Sequence, residues 1–523
     1  MTDTSSAAGS TNGGPAQSAA KMFEVRDPTT GERIATCPVH GPAEVSAAAA
    51  RARAAQPSWE ALGHEGRSKW LGLWRDWIME NADPIADLLQ AESGKVRQEA
   101  ALEAPLVCDA INYYARKGGA FLADERIATH NPLLKGKALK LVYRPFPLAG
   151  VIAPWNFPLL LSLGDAVPAL SAGCSVLVKP SEFTPLAALE LVRGWTEELG
   201  APSVIEIVTG GGEPAQTLID EADFVQFTGS AKTAKKVLTR AADSLTPVTC
   251  ELGGKDPMIV LDDADPVRAA NGAAWGGLAN SGQICLSVER VYVAEQRYDE
   301  FVEALVDRVG TIRQGRDEPH YTNEVGAMTN PAQIEIVEDH IADAVARGAK
   351  ILAGGKRLDG PGDFFEPTVL VDVDHSMKVM REETFGPVIP VMKVADEEEA
   401  VRLANDSNYG LAASVWGEKS RAEQVARRLE VGAANINDVL LNYIAFSIPM
   451  GGWKESGIGV RWGAAGIRKF CRTESLVITR LAATRSEPMW FPYSRGKSRV
   501  LQALTRLVSA RGWRNRLGLK PRR

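Results

Sequence analysis

Short apolar runs and longer amphipathic segments alternate along the chain between about residue 149 and residue 251. Runs of this length, bounded by glycine or proline, are typical of buried strands, and the segments between them have helical spacing. In chain order the pattern predicts strands at residues 150–152, 175–179, 204–208, 223–228 and 247–251, with helices at 159–173 and 185–199, near Ala215 and from Ala231. Strands that alternate with helices predict crossover connections and a parallel sheet.

A second alternation of the same kind follows Gly254. It predicts strands at residues 257–261, 288–293, 351–352 and 369–371, and helices at 266–280, 298–313 and 398–405. The predicted fold class is therefore α/β, with two doubly wound units in series. Ligands of open α/β sheets bind at the carboxyl ends of strands and in clefts between domains, so functional residues are expected near the junction of the two units.

Two extended segments belong to neither unit. Residues 137–143 alternate between polar and apolar side chains, and residues 474–479 resemble a late edge strand. We expect these segments to pair in a small protruding sheet that joins subunits.

The composition is that of an ordinary globular protein, with 45% hydrophobic and 24% charged residues in a chain of 523, which is long for a single core. The six cysteines are scattered, no CxxC pair occurs, and no signal peptide or transmembrane stretch is recognised, so a cytoplasmic location is expected. The six histidines are scattered too, and we expect no metal site.

The two ends depart from this average. Residues 1–21 are rich in small and polar residues and are expected to be disordered. Residues 481–523 contain eleven Lys or Arg and a single acid, Glu487, which gives a net charge of +10 against −16 for the residues before them. Such asymmetry suggests a tail with a partner of its own.

Within this basic tail, apolar residues fall at helical spacing: Val500, Leu501, Leu504, Leu507 and Val508. A basic amphipathic helix can lie on an anionic membrane surface, which would place the protein at the membrane periphery. The alternative is a helix packed on the protein body with a solvated basic face. No nucleic-acid-binding motif accompanies the charge, so no nucleic acid is expected as a partner.

A thiol and a carboxylate carry the candidate chemistry. Cys285 lies in the stretch GQICL, and Glu251 ends a predicted strand before two glycines. A thiol that attacks a carbonyl carbon and a carboxylate that activates water are the groups needed to form and hydrolyse a thioester. Taken singly, Cys285 could be a small core residue and Glu251 a solvated acid in a turn.

Three further segments complete the candidate site. Asn156 lies in a proline-bracketed loop, where its amide could form a turn or donate to an oxyanion together with the Cys285 backbone N–H. No GxGxxG fingerprint occurs. Instead, Lys179 and Glu182 follow a strand where they could bind ribose hydroxyls, and the Gly229–Ser230 pair opens a helix that suits a pyrophosphate.

Together these segments resemble the aldehyde dehydrogenase superfamily from about Phe23 to about Arg480. The motifs that carry the resemblance are APWNFPL at 153–159, LVKPSEFTP at 177–185, FTGS at 227–230, ELGGKDP at 251–257, GQIC at 282–285, EETFGPV at 382–388 and PMGGWKESGIG at 449–459. So long an ordered set is highly specific for that family.

The resemblance implies a role for each matching residue. The implied catalytic residues are the nucleophile Cys285, the general base Glu251 and the oxyanion donor Asn156. The implied cofactor-binding residues are Lys179 and Glu182 on the adenosine ribose, Gly229 and Ser230 on the pyrophosphate, Ile152 and Trp155 along the cleft, and Glu383 and Phe385 at the nicotinamide end. NAD is expected over NADP, because the Glu182 carboxylate would repel a 2′-phosphate.

The family's fold implies a domain plan and an oligomer. The implied units are a disordered tail at 1–21, an NAD-binding domain at 22–136 and 149–253, a catalytic domain at 254–453, an oligomerisation sheet at 137–148 and 471–482, and a basic tail at 483–523. Family members form dimers or tetramers, so a homodimer or homotetramer is expected.

The substrate is less sharply indicated. Apolar residues flank the catalytic positions, which favours an apolar aliphatic or aromatic aldehyde: Leu159, Leu160, Leu161, Ile284 and Leu286. A succinate-semialdehyde-type activity stays open, although Asp165 lies in the stretch where such relatives often carry an arginine.

A CoA-acylating activity is disfavoured, because acylating relatives generally lack the Glu251 base. A non-enzymatic membrane-associated role is disfavoured by the intact catalytic set. Arg461 stands where many hydrolytic relatives have a second glutamate.

Overall fold

The computed structural model describes residues 21–131, 134, 136–318, 320–480, 486–487 and 489–519. The predicted disordered tail, apart from Lys21, lies outside the described residues, as do residues 481–485, 488 and 520–523 of the basic tail.

The strands are β1 (Met22–Arg26), β2 (Arg33–Pro38), β3 (Glu125–Ile127), β4 (Lys137–Pro145), β5 (Leu148–Ile152), β6 (Ser175–Lys179), β7 (Ile205–Ile207), β8 (Phe224–Thr228), β9 (Val248–Glu251), β10 (Asp256–Val260), β11 (Val288–Ala294), β12 (Lys350–Ala353), β13 (Thr368–Val371), β14 (Val388–Val394), β15 (Tyr409–Gly410), β16 (Ala412–Trp416), β17 (Ala433–Ile436), β18 (Trp453–Lys454), β19 (Gly457–Ile458) and β20 (Cys471–Thr479).

The helices are α1 (Pro42–Ala61), α2 (Gly63–Glu80), α3 (Ala82–Ser93), α4 (Arg97–Phe121), α5 (Leu163–Ala172), α6 (Leu186–Arg193), α7 (Gly212–Glu221), α8 (Ala231–Ser244), α9 (Pro266–Leu278), α10 (Glu295–Gly310), α11 (Pro331–Ala346), α12 (Lys378–Arg381), α13 (Glu397–Asn405), α14 (Lys419–Ala426), α15 (Gly463–Arg468), α16 (Arg495–Ser509) and α17 (Trp513–Arg516).

The first alternation forms a six-stranded sheet in the order β19-β9-β8-β5-β6-β7. Strands β5 to β9 are parallel, as predicted, and only the short β19 runs antiparallel, beside β9. Every residue of β5, β6 and β8 is buried, which explains why these strands are continuous apolar runs rather than alternating ones. Strands β6 and β7 lie on one side of β5, whereas β8 and β9 lie on the other. A ligand crevice is expected where the strand order changes direction in this way.

One predicted helix boundary is wrong. The helix predicted over 159–173 begins at Leu163. The buried Glu103 carboxylate of α4 accepts the backbone N–H groups of Leu159 and Leu160 at 3.0 and 3.3 Å. These two residues are therefore tied to α4 in a turn, and the helix starts only after it.

The second alternation forms a seven-stranded sheet in the order β12-β13-β14-β11-β10-β16-β17. All neighbours are parallel except the edge strand β12. The predicted strands β10, β11, β12 and β13 are present, and the pattern missed β14, β16 and β17 together with helices α11 and α14. The α/β class with two doubly wound units is confirmed, whereas the exact domain boundaries stay a prediction.

Helices α1 to α4 lie beside the six-stranded sheet, and the sequence pattern did not predict them. Small residues of α1, Ala48, Ala49 and Ala52, are fully buried and let the helix approach the sheet closely. Trp195 packs edge-on against Trp59, with ring centroids 5.9 Å apart. Burial of such aromatic pairs adds about 0.5–1.5 kcal/mol beyond their buried area.

The two extended segments do pair. Strand β4 runs antiparallel to β20 along its full length, from Lys137 opposite Thr479 to Pro145 opposite Cys471, and β3 lies on the other side of β4. Ile127, Val477 and Ile478 of this three-stranded sheet are exposed. That the sheet joins subunits stays a prediction.

The basic tail contains the predicted helix, α16, which the Ser494 hydroxyl caps by accepting the Lys497 N–H. None of the described α16 side chains is buried, which favours an exposed amphipathic helix over a helix packed on the protein body. Among the residues described, no helix combines the length and apolar character needed to cross a membrane.

Candidate active site

Four parallel strands end at one edge of the six-stranded sheet with candidate residues. Ile152, Lys179, Thr228 and Glu251 are the last residues of β5, β6, β8 and β9, respectively. The carboxyl ends of parallel strands form the expected ligand-binding edge of such a sheet. The fold therefore brings residues that are distant in sequence to the same edge; Ile152 and Glu251 are 99 positions apart.

A strained turn presents Cys285. Asn280, Ser281 and Gly282 all have positive φ angles, of 50°, 56° and 72°, and a Cβ on Gly282 would lie 2.1 Å from the Gly386 carbonyl oxygen. The Glu99 carboxylate accepts the Asn280 N–H at 2.6 Å, and the Ser281 hydroxyl donates to the Gly326 carbonyl at 3.0 Å. Backbone strain of this kind persists where surrounding contacts over-determine it, often at functional sites.

Cys285 differs from the other cysteines in exposure. All six lie in the described residues and are free thiols, and five are buried, whereas Cys285 is partly exposed. Its surroundings are nevertheless dense: burial raises the pKa of the Cys285 thiol to about 12, and the Arg461 guanidinium opposes this shift. The resting thiol is therefore protonated at neutral pH and must lose its proton when it attacks.

Asn156 is held against the Cys285 loop. Its side-chain amide donates to the Gln283 carbonyl at 2.8 Å, which leaves a second amide hydrogen for another acceptor. Its backbone carbonyl accepts the Lys95 ammonium at 2.9 Å, and Lys95 forms a fully buried ion pair with Glu103 at 2.5 Å. Glu103 in turn binds the turn after Asn156, so α4 fixes this loop from behind.

Glu251 is a buried carboxylate without a partner. It is 3% exposed, and neither of its oxygens has a hydrogen-bonding partner among the described residues. Burial raises the pKa of Glu251 to about 7, while the positive charges of Arg461 and Lys469 oppose the rise. A carboxyl group poised near neutrality and free of protein partners is suited to bind and deprotonate a water molecule.

Sequence reasoning left a buried charge cluster beside Glu251 out of the site. Arg461 is 2% exposed, forms an ion pair with Asp165 at 3.3 Å, and donates to Tyr443 Oη at 2.8 Å and Thr228 Oγ1 at 2.9 Å. The second cation, Lys469, donates to a buried glutamine of β8, and burial lowers its pKa to about 8. The signal in sequence was the unusual arginine at 461, but its side-chain contacts come from three other segments of the chain.

An apolar cavity of about 710 Å³ extends from Cys285 between α4, α9 and the 440–444 segment. Its wall is formed largely by apolar side chains, among them Leu106, Phe157, Leu160, Leu161, Leu278, Ile284, Leu286 and Leu440. Large apolar side chains that line it are also exposed to solvent: Leu102, Trp275, Tyr321, Leu441 and Ile444. The volume lies in the upper part of the range of about 300–1,000 Å³ usual for ligand pockets.

The charged residues that line this cavity are mostly paired. Glu103 is bound to Lys95, and Arg313 forms an ion pair with Glu324 at 2.5 Å on the surface. Arg308 is exposed, and the remaining charge is the Glu99 carboxyl, whose pKa burial raises to about 7. Among the described residues, Arg308 is therefore the one cation of this lining that forms no ion pair, and it lies at the solvent-exposed surface.

The predicted cofactor-binding residues lie at the carboxyl ends of β6 and β8. The Lys179 ammonium is 3.4 Å from the Glu182 carboxylate, and Lys179 is buried whereas the Glu182 side chain is 43% exposed. Gly229 follows β8, and Ser230 caps α8 by accepting the Thr233 N–H at 3.3 Å. A charged pair after β6 and a helix N-terminus free of acids after β8 suit the ribose and pyrophosphate of a dinucleotide.

The Glu383–Phe385 segment, which precedes β14 of the seven-stranded sheet, contacts loops that follow β5 and β9 of the six-stranded sheet. The Glu289 carboxylate accepts the N–H groups of Thr384 and Phe385, both at 2.8 Å, and this stabilises the positive φ of Phe385. The Phe385 ring lies edge-on to Trp155, with centroids 5.4 Å apart. Glu383 accepts the Gly254 N–H at 3.1 Å, and burial raises its pKa to about 8.

Two glycines of these segments leave no room for a side chain. A Cβ on Gly253 would lie 2.2 Å from the Glu383 carboxylate, and one on Gly229 would lie 2.8 Å from the Phe227 ring. The structure thus brings Ile152, Lys179, Glu251 and Gly229 to one edge of the six-stranded sheet and holds Asn156 against the Cys285 loop. It also places Glu383 beside Gly254 and Phe385 against Trp155. The residues present fit a nicotinamide dinucleotide. The described residues contain no group of three or more potential metal ligands.

Comparisons with known proteins agree with this geometry. Residues 15–476 match the model of the aldehyde dehydrogenase family. A 4,4′-diapolycopene aldehyde oxidase of Methylomonas sp is 40% identical over 89% of this chain and 87% of its own length. A proposed succinate-semialdehyde dehydrogenase [NADP(+)] of Mycobacterium ulcerans is 38% identical over 86% of this chain and 88% of its own. A solved structure of Staphylococcus aureus betaine aldehyde dehydrogenase in complex with NAD⁺ is 33% identical, with a TM-score of 0.84 over 90% of this chain and 94% of its own.

The chain therefore belongs to the aldehyde dehydrogenase family. It is an oxidoreductase that acts on aldehydes, and its family uses NAD or NADP and is commonly oligomeric.

Proposed function

We propose that the protein oxidises an apolar aldehyde to the free carboxylic acid with NAD⁺, through a thioester on Cys285. The observation that carries this proposal is the apolar cavity that leads to the single partly exposed cysteine. A long aliphatic, aromatic or polyene chain would replace water along this wall, which is favourable by roughly 25 cal/mol per Å² of apolar surface buried.

In the first step, the Cys285 sulfur adds to the aldehyde carbon and the thiol proton leaves. Burial disfavours a free thiolate, so the proton must move to a nearby base, and the Glu251 carboxylate is the candidate. The oxyanion that forms accepts the free amide hydrogen of Asn156 and the Cys285 backbone N–H. NAD⁺, when bound, accepts the hydride that converts this adduct into a thioester.

In the second step, after its first proton has passed to solvent, the Glu251 carboxylate takes a proton from water, and the hydroxyl oxygen attacks the thioester carbon. The C–S bond breaks, the carboxylic acid leaves and the sulfur recovers a proton. The unpartnered oxygens of Glu251 and its pKa near 7 support this assignment. Arg461 and Asp165 touch neither reacting group in the described contacts, so they are positioning residues.

NAD⁺ is proposed over NADP⁺ because the Glu182 carboxylate would meet a 2′-phosphate at the adenosine ribose. The mycobacterial relative is named for NADP⁺, so the preference needs a direct test. We expect kcat/KM to be higher with NAD⁺ than with NADP⁺.

Two other activities are less well supported. A succinate-semialdehyde-type activity has support from the mycobacterial relative's name, but the cavity wall is largely apolar, and Arg308, its one cation without an ion pair among the described residues, lies at the exposed surface. Transfer of the acyl group to CoA instead of water would leave Glu251 without its role in hydrolysis. A non-enzymatic membrane-associated role is not proposed, because the chain carries the full catalytic set.

The decisive experiment follows NADH absorbance across aliphatic, aromatic and ω-carboxy aldehydes of increasing length, with and without CoA. Turnover without CoA and a kcat/KM that rises with apolar chain length are expected. Preference for succinate semialdehyde, or a strict CoA requirement, would refute the proposal.

The proposed setting is the cytoplasm, where the enzyme forms a homodimer or homotetramer. Its basic tail would hold it at the periphery of a membrane.

A further inference from the structure

We infer that the C-terminal helix α16, with the aromatic residues around it, is a docking surface for an anionic lipid bilayer. The residues that indicate this surface all lie in the tail, and only its link to substrate delivery rests on the proposed function. We call residues 489–519 the docking segment.

The apolar face of α16 is continuous and uncovered. Val500, Leu504 and Leu507 are 59, 40 and 49% exposed, and Leu501 and Val508 are only partly shielded. At about 100° per residue these five side chains fall within one third of the helix circumference, whereas Gln502 and Ser509 point the opposite way. Exposure of such an apolar face to water is unfavourable, so a helix of this kind is expected to bury it against a partner.

Aromatic and other large apolar residues flank α16 and are also exposed. They are Met489 (62%), Trp490 (59%), Phe491 (74%), Tyr493 (72%), Trp513 (65%) and Leu517 (64%). Tryptophan and tyrosine side chains favour the boundary between lipid headgroups and acyl chains, since one end of each is apolar and the other polar. Two aromatic groups on either side of an amphipathic helix would anchor it parallel to the bilayer plane.

The charges of the docking segment have one sign. It contains seven basic residues and no acid: Arg495, Lys497, Arg499, Arg506, Arg511, Arg514 and Arg516. In the part of the chain that the structure describes, none of the seven forms an ion pair, although the residues before 481 carry a net charge of −16. The acidic protein body therefore does not neutralise the segment, and anionic headgroups would.

A lipid surface explains the apolar and basic features together, whereas an acidic surface of a second copy would explain the charge alone. It also fits the exposed apolar side chains that line the substrate cavity, such as Trp275 and Tyr321. Long apolar aldehydes partition into bilayers, so an enzyme held at the bilayer surface meets its substrate there.

The test is co-sedimentation of the full chain with vesicles of equal parts phosphatidylglycerol and phosphatidylcholine, and with pure phosphatidylcholine vesicles. The variant L504E/L507E places two acids on the apolar face, and Q502E/S509E makes the same charge change on the opposite face. We expect the wild type and Q502E/S509E to bind the anionic vesicles, binding to weaken in high salt, and L504E/L507E to bind at least about tenfold more weakly.

Two results would overturn the inference. One is equal vesicle binding, or none, by all three proteins. The other is a change of mass in light scattering for L504E/L507E without any vesicle binding by the wild type, which would make the segment a subunit contact. Turnover of a short soluble aldehyde serves as the separate readout of the proposed function, and both variants should retain it.

Discussion

At the scale of single residues, the site depends on two groups whose burial works against their charged forms. Burial raises the pKa of the Cys285 thiol to about 12 and that of the Glu251 carboxyl to about 7. Near pH 7 the favoured resting state therefore has a neutral thiol and a partly ionised carboxyl group. Proton transfer between them is therefore coupled to attack on the aldehyde.

Replacement of Glu251 by glutamine should slow both steps assigned to this base. Glutamine keeps the shape but cannot take a proton from water, so hydrolysis of the thioester should slow by about 10²–10⁴-fold. Rapid-mixing measurements should also show slower formation of the first NADH, because Glu251 accepts the thiol proton in the proposed first step. Cys285→Ala should abolish both phases, whereas Cys108→Ala, a buried cysteine outside the site, should change neither. A Glu251→Gln enzyme that turns over at the wild-type rate would contradict the assignment.

The buried cluster around Arg461 should set the pH dependence. The Glu251 base works when ionised, so kcat for hydrolysis should rise with pH through about 7. Arg461 favours the ionised form and Asp165 opposes it, so Arg461→Gln should move this limb to higher pH and Asp165→Asn to lower pH, each by about one unit.

Arg461→Lys serves as the conservative control, because it keeps the positive charge and should keep the pH profile near that of the wild type. Lys469 is a second positive charge that lowers the pKa of Glu251 and so contributes to the same pH profile. Parallel loss of activity at every pH in all these variants would indicate a structural role alone.

At the scale of elements, α4 supplies both the support of the site and a wall of the substrate cavity. Its Glu103 binds the loop that follows Asn156, and its Leu102 and Leu106 line the cavity. The same helix therefore couples the position of the oxyanion donor to the shape of the pocket.

Leu106→Trp should shorten the cavity from this wall. We expect kcat/KM for long apolar aldehydes to fall by at least about tenfold, while short aldehydes lose little, since each excluded methylene removes about 0.8 kcal/mol of binding. Leu73→Trp, on exposed α2 surface away from the cavity, is the matched control. An equal loss for short and long substrates would contradict an extended binding mode.

Much of the first sheet could be predicted from sequence because its strands are apolar runs between glycines and prolines. Ser175–Lys179 was predicted with its observed bounds for this reason. Helix α1 escaped prediction because its buried face is made of alanines, which stand out little from the rest of the helix. The ion pair of Lys95 with Glu103 and the contacts of Arg461 escaped because tertiary structure alone joins residues so distant in sequence.

At the scale of the whole molecule, the β3-β4-β20 sheet and the docking segment are two exposed apolar surfaces. Val477 and Ile478 of β20 are 64 and 42% exposed on an antiparallel sheet with a free edge. Exposed sheet edges and apolar strands are usually covered in a working protein.

Val477→Lys should therefore reduce the number of subunits in the oligomer. Light scattering on a size-exclusion column should give a dimer or tetramer for the wild type and a smaller species for the variant. Glu474→Lys changes the charge of the same strand at a surface ion pair and should leave the mass unchanged. A wild-type monomer would contradict the predicted oligomer.

The neutral state of Cys285 has a consequence for the life of the enzyme between turnovers. Peroxide and alkylating reagents react with thiolates, and a thiol whose pKa is about 12 presents almost none at neutral pH. Surroundings that keep the thiol protonated until an aldehyde arrives should therefore also slow its oxidation. The rate at which peroxide inactivates the idle enzyme measures this effect.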